Sequence, residues 1–162
     1  MGHPYTVLFR KLAMFAPKTI LHPTDFSNCS KCAFGVAADL ATQFQALVIV
    51  AHVVETLGPS NVTFGEVAHQ LEPEGYRDRL WEELKRTAPP IGPGASVEYL
   101  LAEGDSAGAI VRIAEERHCD LIVMGTHGHR GLERFFFGSV AEQVVRRASC
   151  PVLTCKTPPS VS

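Results

Sequence analysis

Charge is scarce in this chain and almost balanced. Of its 162 residues, 20% are charged, and 15 Lys and Arg stand against 17 Asp and Glu, a formal net charge of −2. A protein that neutralises nucleic-acid phosphates carries a basic excess, so this balance argues against a nucleic-acid partner. Aromatic residues are few, 8% with a single Trp. No apolar run approaches the ~18 residues that span a bilayer. The N-terminal stretch MGHPYTVLFRKLAMFAPK is broken by Arg10 and Lys11, and no small-residue cleavage site follows a clean apolar run. The five cysteines, Cys29, Cys32, Cys119, Cys150 and Cys155, are an odd number, which argues against a disulfide framework. The expectations are no membrane partner and a cytoplasmic location. One short pattern runs the other way: Gly2 to Thr6 fits the acylation pattern M-G-x-x-x-[ST], which matches by chance often. The plainer reading of residues 1–17 is a variable N-terminal extension.

What is present fits one globular domain: 46% hydrophobic residues and a length that leaves little room for a second. Thr19 to His22 is a short apolar run stopped by Pro23, read as a buried strand. Ser27 or Asn28 caps a helix whose apolar positions Ala33, Val36, Ala37, Leu40, Ala41 and Phe44 fall on one face. Ala46 to Val54 is continuously apolar and β-branched, as in a strand covered on both sides. Residues 55–71 read as a loop, and Glu74 to Thr87 as a helix with Tyr76, Leu80, Trp81 and Leu84 at helical spacing. Pro89, Pro90 and the Gly92-Pro93-Gly94 break precede a strand over Ser96–Leu101. Asp105 or Ser106 caps a helix that turns Ala107, Ile110, Val111 and Ala114 to one side. A strand over 121–124 follows, then a glycine-rich stretch over 125–138. A helix from Ser139 to about Ala148 shows Ala141, Val144, Val145 and Ala148 on one face, and a last strand covers 152–155. Residues 157–162 are a tail.

Five strands alternating with four helices predict an α/β fold, an open doubly wound five-stranded parallel sheet flanked by helices, Rossmann-like in architecture. Ligands of such sheets sit beyond the carboxyl ends of the strands, where the strand order switches. The segments of interest are therefore 23–28, 53–60, 101–105 and 125–138.

The last of these runs from Gly125 through Gly128, Gly131 and Gly138 to Ser139, after a strand and before a helix. Glycine at 125 and 128 lets backbone N–H groups approach a phosphate, and Gly138-Ser139 opens a helix whose free N–H groups and dipole favour an anion. Arg130 adds positive charge. The competing reading is a tight turn whose glycines serve backbone geometry alone. Walker A is absent, since no Gly-Lys-Ser/Thr occurs, and no G-x-G-x-x-G follows the first strand.

Gly125-x2-Gly128-x9-Gly138-Ser139 resembles the nucleotide-binding motif of the universal stress protein family, ATP-binding type. The resemblance extends over residues 18–156: KTILHPTDFS, VIVAHVVE, EGDSAGAIVRIAEERHCDLIVMGTHG and GSVAEQVVRRASCPVLTCK are similar to the family's segments and occur in its order. It implies an adenine nucleotide alpha hydrolase-like fold and a nucleotide-dependent stress-response regulator or sensor rather than an enzyme. It implies ATP, or AMP or ADP, as ligand, with Mg²⁺ arriving on the phosphates, and a homodimer through the C-terminal strand 151–155. By the same resemblance Asp25 faces the adenine and ribose side, with Pro23 and Thr24 in its turn, and the Val53 backbone pairs with the adenine edge. Gly125, Gly128, Gly138 and Ser139 form the phosphate loop, with Met124, His127, His129, Arg130 and Val140 beside it. Because some members autophosphorylate, Ser139 and Thr126 are candidate acceptors. Ala141 departs from the pattern, since many ATP-binding members carry Ser or Thr there; one lost hydrogen bond costs ~0.5–1.5 kcal/mol.

Other signals compete. An ATPase or nucleotidyl-transfer enzyme of the same architecture needs a positioned base and metal ligands, and Asp25 with the loop histidines is not a convincing set. Cys29-x-x-Cys32 opens a helix after a strand, the context of a redox dithiol, but Ser30-Lys31 lie between and no Trp precedes. His22, His52 and His127 each lie near a strand's carboxyl end, and His127-x-His129 can supply two metal ligands, yet His52 reads as a hydrogen-bonded core histidine. Phe135-Phe136-Phe137 reads as partly buried and partly a partner contact.

Overall fold

The computed structural model describes residues 15–55, 75–126 and 139–156. Within them the elements are β1 (Thr19–Pro23), α1 (Asn28–Phe44), β2 (Leu47–Val54), α2 (Tyr76–Thr87), β3 (Ser96–Glu103), α3 (Ser106–Glu116), β4 (Leu121–Gly125), α4 (Ser139–Arg147) and β5 (Val152–Cys155). The strands form one parallel sheet in the order β3-β2-β1-β4-β5. The chain therefore winds outward from β1 to β3, returns past β1 to β4, and winds outward the other way. This is the doubly wound α/β architecture that the alternation of strands and helices predicts, with β5 at one edge and the switch in order between β1 and β4.

Two apolar layers sandwich the sheet. On one side Ile20, Val48, Val50, Leu121 and Val123 meet Ala33, Phe34, Ala37 and Ala41 of α1 and Leu84 of α2. On the other, Leu21, Ile49, Ala51, Ile122 and Met124 meet Ala107, Ile110, Ile113 and Ala114 of α3 and Ala141 and Val144 of α4. Successive strand residues go to opposite layers, which is why the central strands read as unbroken apolar runs.

Two helical faces differ from the sequence pattern. In α1, Val36 is 37% exposed while Phe34, outside the expected stripe, is 7% exposed. The buried face runs through Cys29, Ser30, Ala33, Phe34, Ala37 and Ala41, so the helix is rolled about one position from the expected stripe. Small alanines let it lie close to the sheet, and the large Phe34 fills the remaining gap. In α4, Val145 is 47% exposed beside the buried Val144, since a nine-residue helix resting on one layer covers only a narrow stripe. Ser27 is the N-cap of α1, its Oγ accepting from Ser30 N, and Asp105 is the N-cap of α3, accepting from Gly108 N. Asp120, just before β4, accepts from the backbone N–H groups of Lys18 and Thr19 at 2.8 and 3.0 Å, which pins the start of β1 to β4. No described helix is long and apolar enough to cross a membrane.

Candidate functional site

The ladder between β1 and β4 is short, with Ile20 opposite Leu121 and Leu21 opposite Ile122, whereas β1 pairs with β2 at five positions. The next step brings His22 level with Val123. There the ladder would call on the N–H of residue 23 to reach the Val123 carbonyl, and residue 23 is proline, which has none. The His22 side chain fills the gap: its Nδ1 donates to Val123 O at 2.9 Å. Donation to a carbonyl sets the tautomer, so Nε2 carries the lone pair, and this buried atom has no hydrogen-bond partner among the described residues. His22 is fully buried, its ring centroid 5.6 Å from that of Phe34. Burial lowers its pKa from 6.5 to about 4, offset in part by the Val123 hydrogen bond and the charge of Asp25. Pro23 thus begins the separation of β1 from β4 at the strand ends, and His22 keeps the Val123 carbonyl satisfied.

Past Pro23 the chain turns through a compact polar network. Thr24 N donates to Ala51 O at 2.8 Å. The buried Thr24 Oγ1 lies 3.0 Å from Ser30 Oγ and accepts from Phe26 N at 3.1 Å. An Asp25 carboxylate oxygen accepts from Ser27 N at 3.0 Å, an Asx turn that leads into the Ser27 cap. Phe26 sits at φ 65°, an uncommon conformation for an aromatic residue. Its ring packs against His52 with centroids 4.4 Å apart, and His52 Nδ1 donates to Thr24 O at 2.8 Å. Asp25 therefore does close the turn, and that role coexists with any role toward a ligand.

Val53 lies on β2, opposite Ala102 of β3. Its neighbour Val54 accepts from Gly104 N on the β3 side, and Ala51 accepts from Thr24 N on the β1 side. Backbone groups of alternate residues point to alternate sides of a parallel strand. Hence the Val53 N–H and C=O point toward β1, at a level where β1 has already ended.

Met124 and Gly125 end β4. Met124 is buried in the α3/α4 layer, so only its backbone faces the switch point. At Gly125, a Cβ would meet Cys29 Sγ at 2.9 Å, Cys29 C at 3.1 Å and Ser30 N at 3.2 Å. The first need for glycine here is thus the close approach of the α1 N-terminus to β4, a reason that spacing alone does not reveal. Thr126 is 2% exposed and donates its N–H to Cys155 O at 2.9 Å, so a role as phosphate acceptor would need its side chain to emerge from the core. Ser139 is the first residue of α4, Val140 packs on the α3/α4 layer, and Ala141 is buried in it. His127, Gly128, His129, Arg130, Gly138 and the three phenylalanines 135–137 lie outside the described residues. Among the described residues no group of three or more His, Cys, Asp and Glu is placed to hold a metal. Ser30 and Phe26 are site elements that the sequence patterns do not single out, and His22, noted there only as a histidine near a strand end, serves as a hydrogen-bond donor to Val123 O. The one signal that points to the His22 role is Pro23, which implies an unfilled ladder position.

A doubly wound sheet with an acidic turn on one side of its switch point and a glycine-bearing strand end on the other defines a class of α/β domain. Comparison with known proteins places it further. The chain belongs to the universal stress protein family, whose model matches residues 17–156. Universal stress protein MJ0531 of Methanocaldococcus jannaschii is 39% identical over 145 residues, covering 87% of this chain and 83% of that protein. The solved structure of MJ0577, from the same organism, has 30% identity and a TM-score of 0.72, covering 88% of this chain and 98% of that one. A universal stress protein from Archaeoglobus fulgidus, solved in complex with dAMP, shares the fold at 23% identity and a TM-score of 0.53, covering 88% and 100%.

Proposed function

We propose that this chain binds an adenine nucleotide, ATP or its AMP or ADP relatives, at the β1/β4 switch point. In this reading it acts as a nucleotide-dependent regulator or sensor in the stress response. The observation that carries the reading is the direction of the Val53 peptide groups. They present a donor and an acceptor beyond the end of β1, a pair that matches the donor–acceptor edge of adenine. The remaining chemistry supports it. Asp25 supplies a carboxylate suited to ribose hydroxyls, and the α4 N-terminus begins at the motif residue Ser139, as expected for a phosphate. The dAMP bound by the Archaeoglobus fulgidus relative is of the same ligand class. Mg²⁺ would ride on the nucleotide phosphates, as it does where no dedicated protein cage is built. His127, Gly128, His129, Arg130 and Gly138 complete the proposed phosphate loop. The protein is read as a cytoplasmic homodimer joined edge to edge through β5, whose Val152 and Leu153 are apolar.

The test is direct. Purified protein is denatured and the released small molecules are identified, after which nucleotide-free, folded protein is titrated calorimetrically with ATP and Mg²⁺. An adenine nucleotide in the release and saturable binding below millimolar ATP are expected. Folded, nucleotide-free protein that takes up no ATP at millimolar concentration defeats the proposal. Sustained turnover well above ~1 s⁻¹ would instead favour an ATPase.

A further inference from the structure

Cys155 stands directly opposite Gly125 in the β4–β5 pairing, and adjacent strands lie about 4.8 Å apart. The space that a side chain at 125 would take is filled by Cys29, whose Sγ lies 2.9 Å from that Cβ position. The same Sγ donates to Cys155 O at 3.3 Å. Cys155 packs against the α1-side layer, so both thiols lie on one face of the sheet. Cys32, one turn along α1, is exposed, and Cys29 is 5% exposed. The Cys155 thiol is pushed above its usual range by burial first, and then by the charges of Cys29 and Cys32, as expected of sulfurs held close together. The partner that the fold gives Cys29 is therefore not only the Cys32 of its own helix but a residue 126 positions away.

We propose that Cys29 and Cys155 are a hydroperoxide-oxidisable thiol pair whose disulfide ties the first turn of α1 to the end of β5. Cys29 is the second residue of α1, where the positive end of the helix dipole favours a thiolate. That thiolate attacks a hydroperoxide, ROOH, and becomes a sulfenic acid as the O–O bond breaks and ROH leaves. The Cys155 thiolate then attacks the Cys29 sulfur and expels hydroxide, which leaves as water with the thiol's proton. In sum, two thiols and ROOH give one disulfide, ROH and water, and the two electrons lost by sulfur reduce the O–O bond. The Cys155 carbonyl also accepts from Thr126 N, so the bond forms against the residue from which the chain leaves β4. The pair stands on cysteine geometry alone and does not depend on nucleotide binding.

Full-length protein is treated with hydrogen peroxide, its remaining thiols are alkylated, and a non-reduced digest is mapped by mass spectrometry. The expected result is a Cys29–Cys155 linked peptide, a free-thiol count reduced by two, and reversal by a dithiol reductant. Cys32→Ser and Cys119→Ser should still form the bond, and Cys155→Ser, at a half-buried position, should not. Circular dichroism shows that each variant is folded. A Cys29–Cys32 or Cys119–Cys150 bond in place of Cys29–Cys155, bonds only between molecules, or five unreacted thiols after peroxide each overturn the proposal.

Discussion

The His22 imidazole donates to the Val123 carbonyl across β1 and β4 at 2.9 Å, in the place that Pro23 leaves without a donor. One buried side chain thus stands in for a main-chain hydrogen bond at the point where the sheet divides. Because it does so as a neutral ring, the fold depends on its protonation.

The first prediction concerns pH. The His22 pKa falls from 6.5 to about 4 on folding. Between those values the unfolded chain binds more protons than the folded one, so stability rises with pH across this window. The contribution is complete above about pH 6.5, declines as acid is added, and levels off below about pH 4. The full span is worth about 3 kcal/mol. Urea midpoints from pH 4 to 7.5 should show this slope, and His22→Gln, which retains a donor for Val123, should flatten it. An unchanged slope in that variant would assign the effect to other groups.

Gly125→Ala brings a methyl group against Cys29 and the α1 backbone. A loss of about 1–3 kcal/mol is expected, the usual cost of overpacking. Gly35→Ala in α1 meets nothing within 4 Å among the described residues and should stabilise by about 0.5–1 kcal/mol, since glycine is a poor helix former. Equal effects in thermal unfolding would refute the close-approach reading of Gly125.

Arg117 grips Glu98 with two hydrogen bonds of 2.8 and 2.6 Å, joining the end of α3 to β3. The guanidinium holds the Glu98 carboxyl below its ordinary value through those hydrogen bonds, against a smaller opposing effect of burial. Both side chains are more than a third exposed, so solvent screening limits the pair to about 0.5–1 kcal/mol. That stability is present above the unfolded pKa of Glu98 and is lost as pH falls through the lowered folded value. A double-mutant cycle of Glu98→Gln and Arg117→Gln should show this coupling at pH 7 and its decline in acid and in high salt.

At the proposed nucleotide site, Asp25→Asn keeps an oxygen for the Ser27 N–H but removes the charge. ATP affinity should fall about 10–100-fold, the range for a lost charge-assisted hydrogen bond, with the fold intact. Gly128→Val should abolish binding by setting a side chain against the phosphates. Titrations of folded variants that show wild-type affinity would remove these residues from the site.

Leu153 is 39% exposed on the edge strand. If β5 joins two copies, Leu153→Lys should convert a dimer to a monomer in sedimentation experiments, with little change in monomer stability. Wild-type protein that sediments as a monomer at tens of micromolar would end that reading.

Most of the architecture is legible in the sequence because the strands are buried on both sides and the helices carry one apolar stripe. Ala46 to Val54 and Leu121 to Met124 can be little else than central strands, and Asp105 is recognisable as a cap. What escapes the sequence is the relation between elements. Helical periodicity locates a face only to within about one residue, so Val36 and Phe34 exchange roles once α1 rolls onto its alanines. Gly125 is visible as a glycine, but its close approach to Cys29 depends on how β4 meets α1, more than ninety residues earlier in the chain. The site is legible in type, an acidic turn after the first strand and a glycine loop after the fourth. Thr24 is legible as part of the turn and His52 as a hydrogen-bonded histidine, but the contacts that join them to each other, to Ser30 and to Phe26 are not, because these residues have no diagnostic spacing.

The place of β1 in the sheet also has a consequence for biosynthesis. The first of the described strands is the central one, and its β4 neighbour follows about a hundred residues later, as the His22 to Val123 separation of 101 positions shows. At ribosomal rates of about 5–20 residues per second, that interval lasts roughly 5–20 s. Through it, a strand that ends up buried at four of its five positions has β2 on one side and not yet β4 on the other. The nascent chain must therefore outlast a window in which its own centre is an open sheet edge.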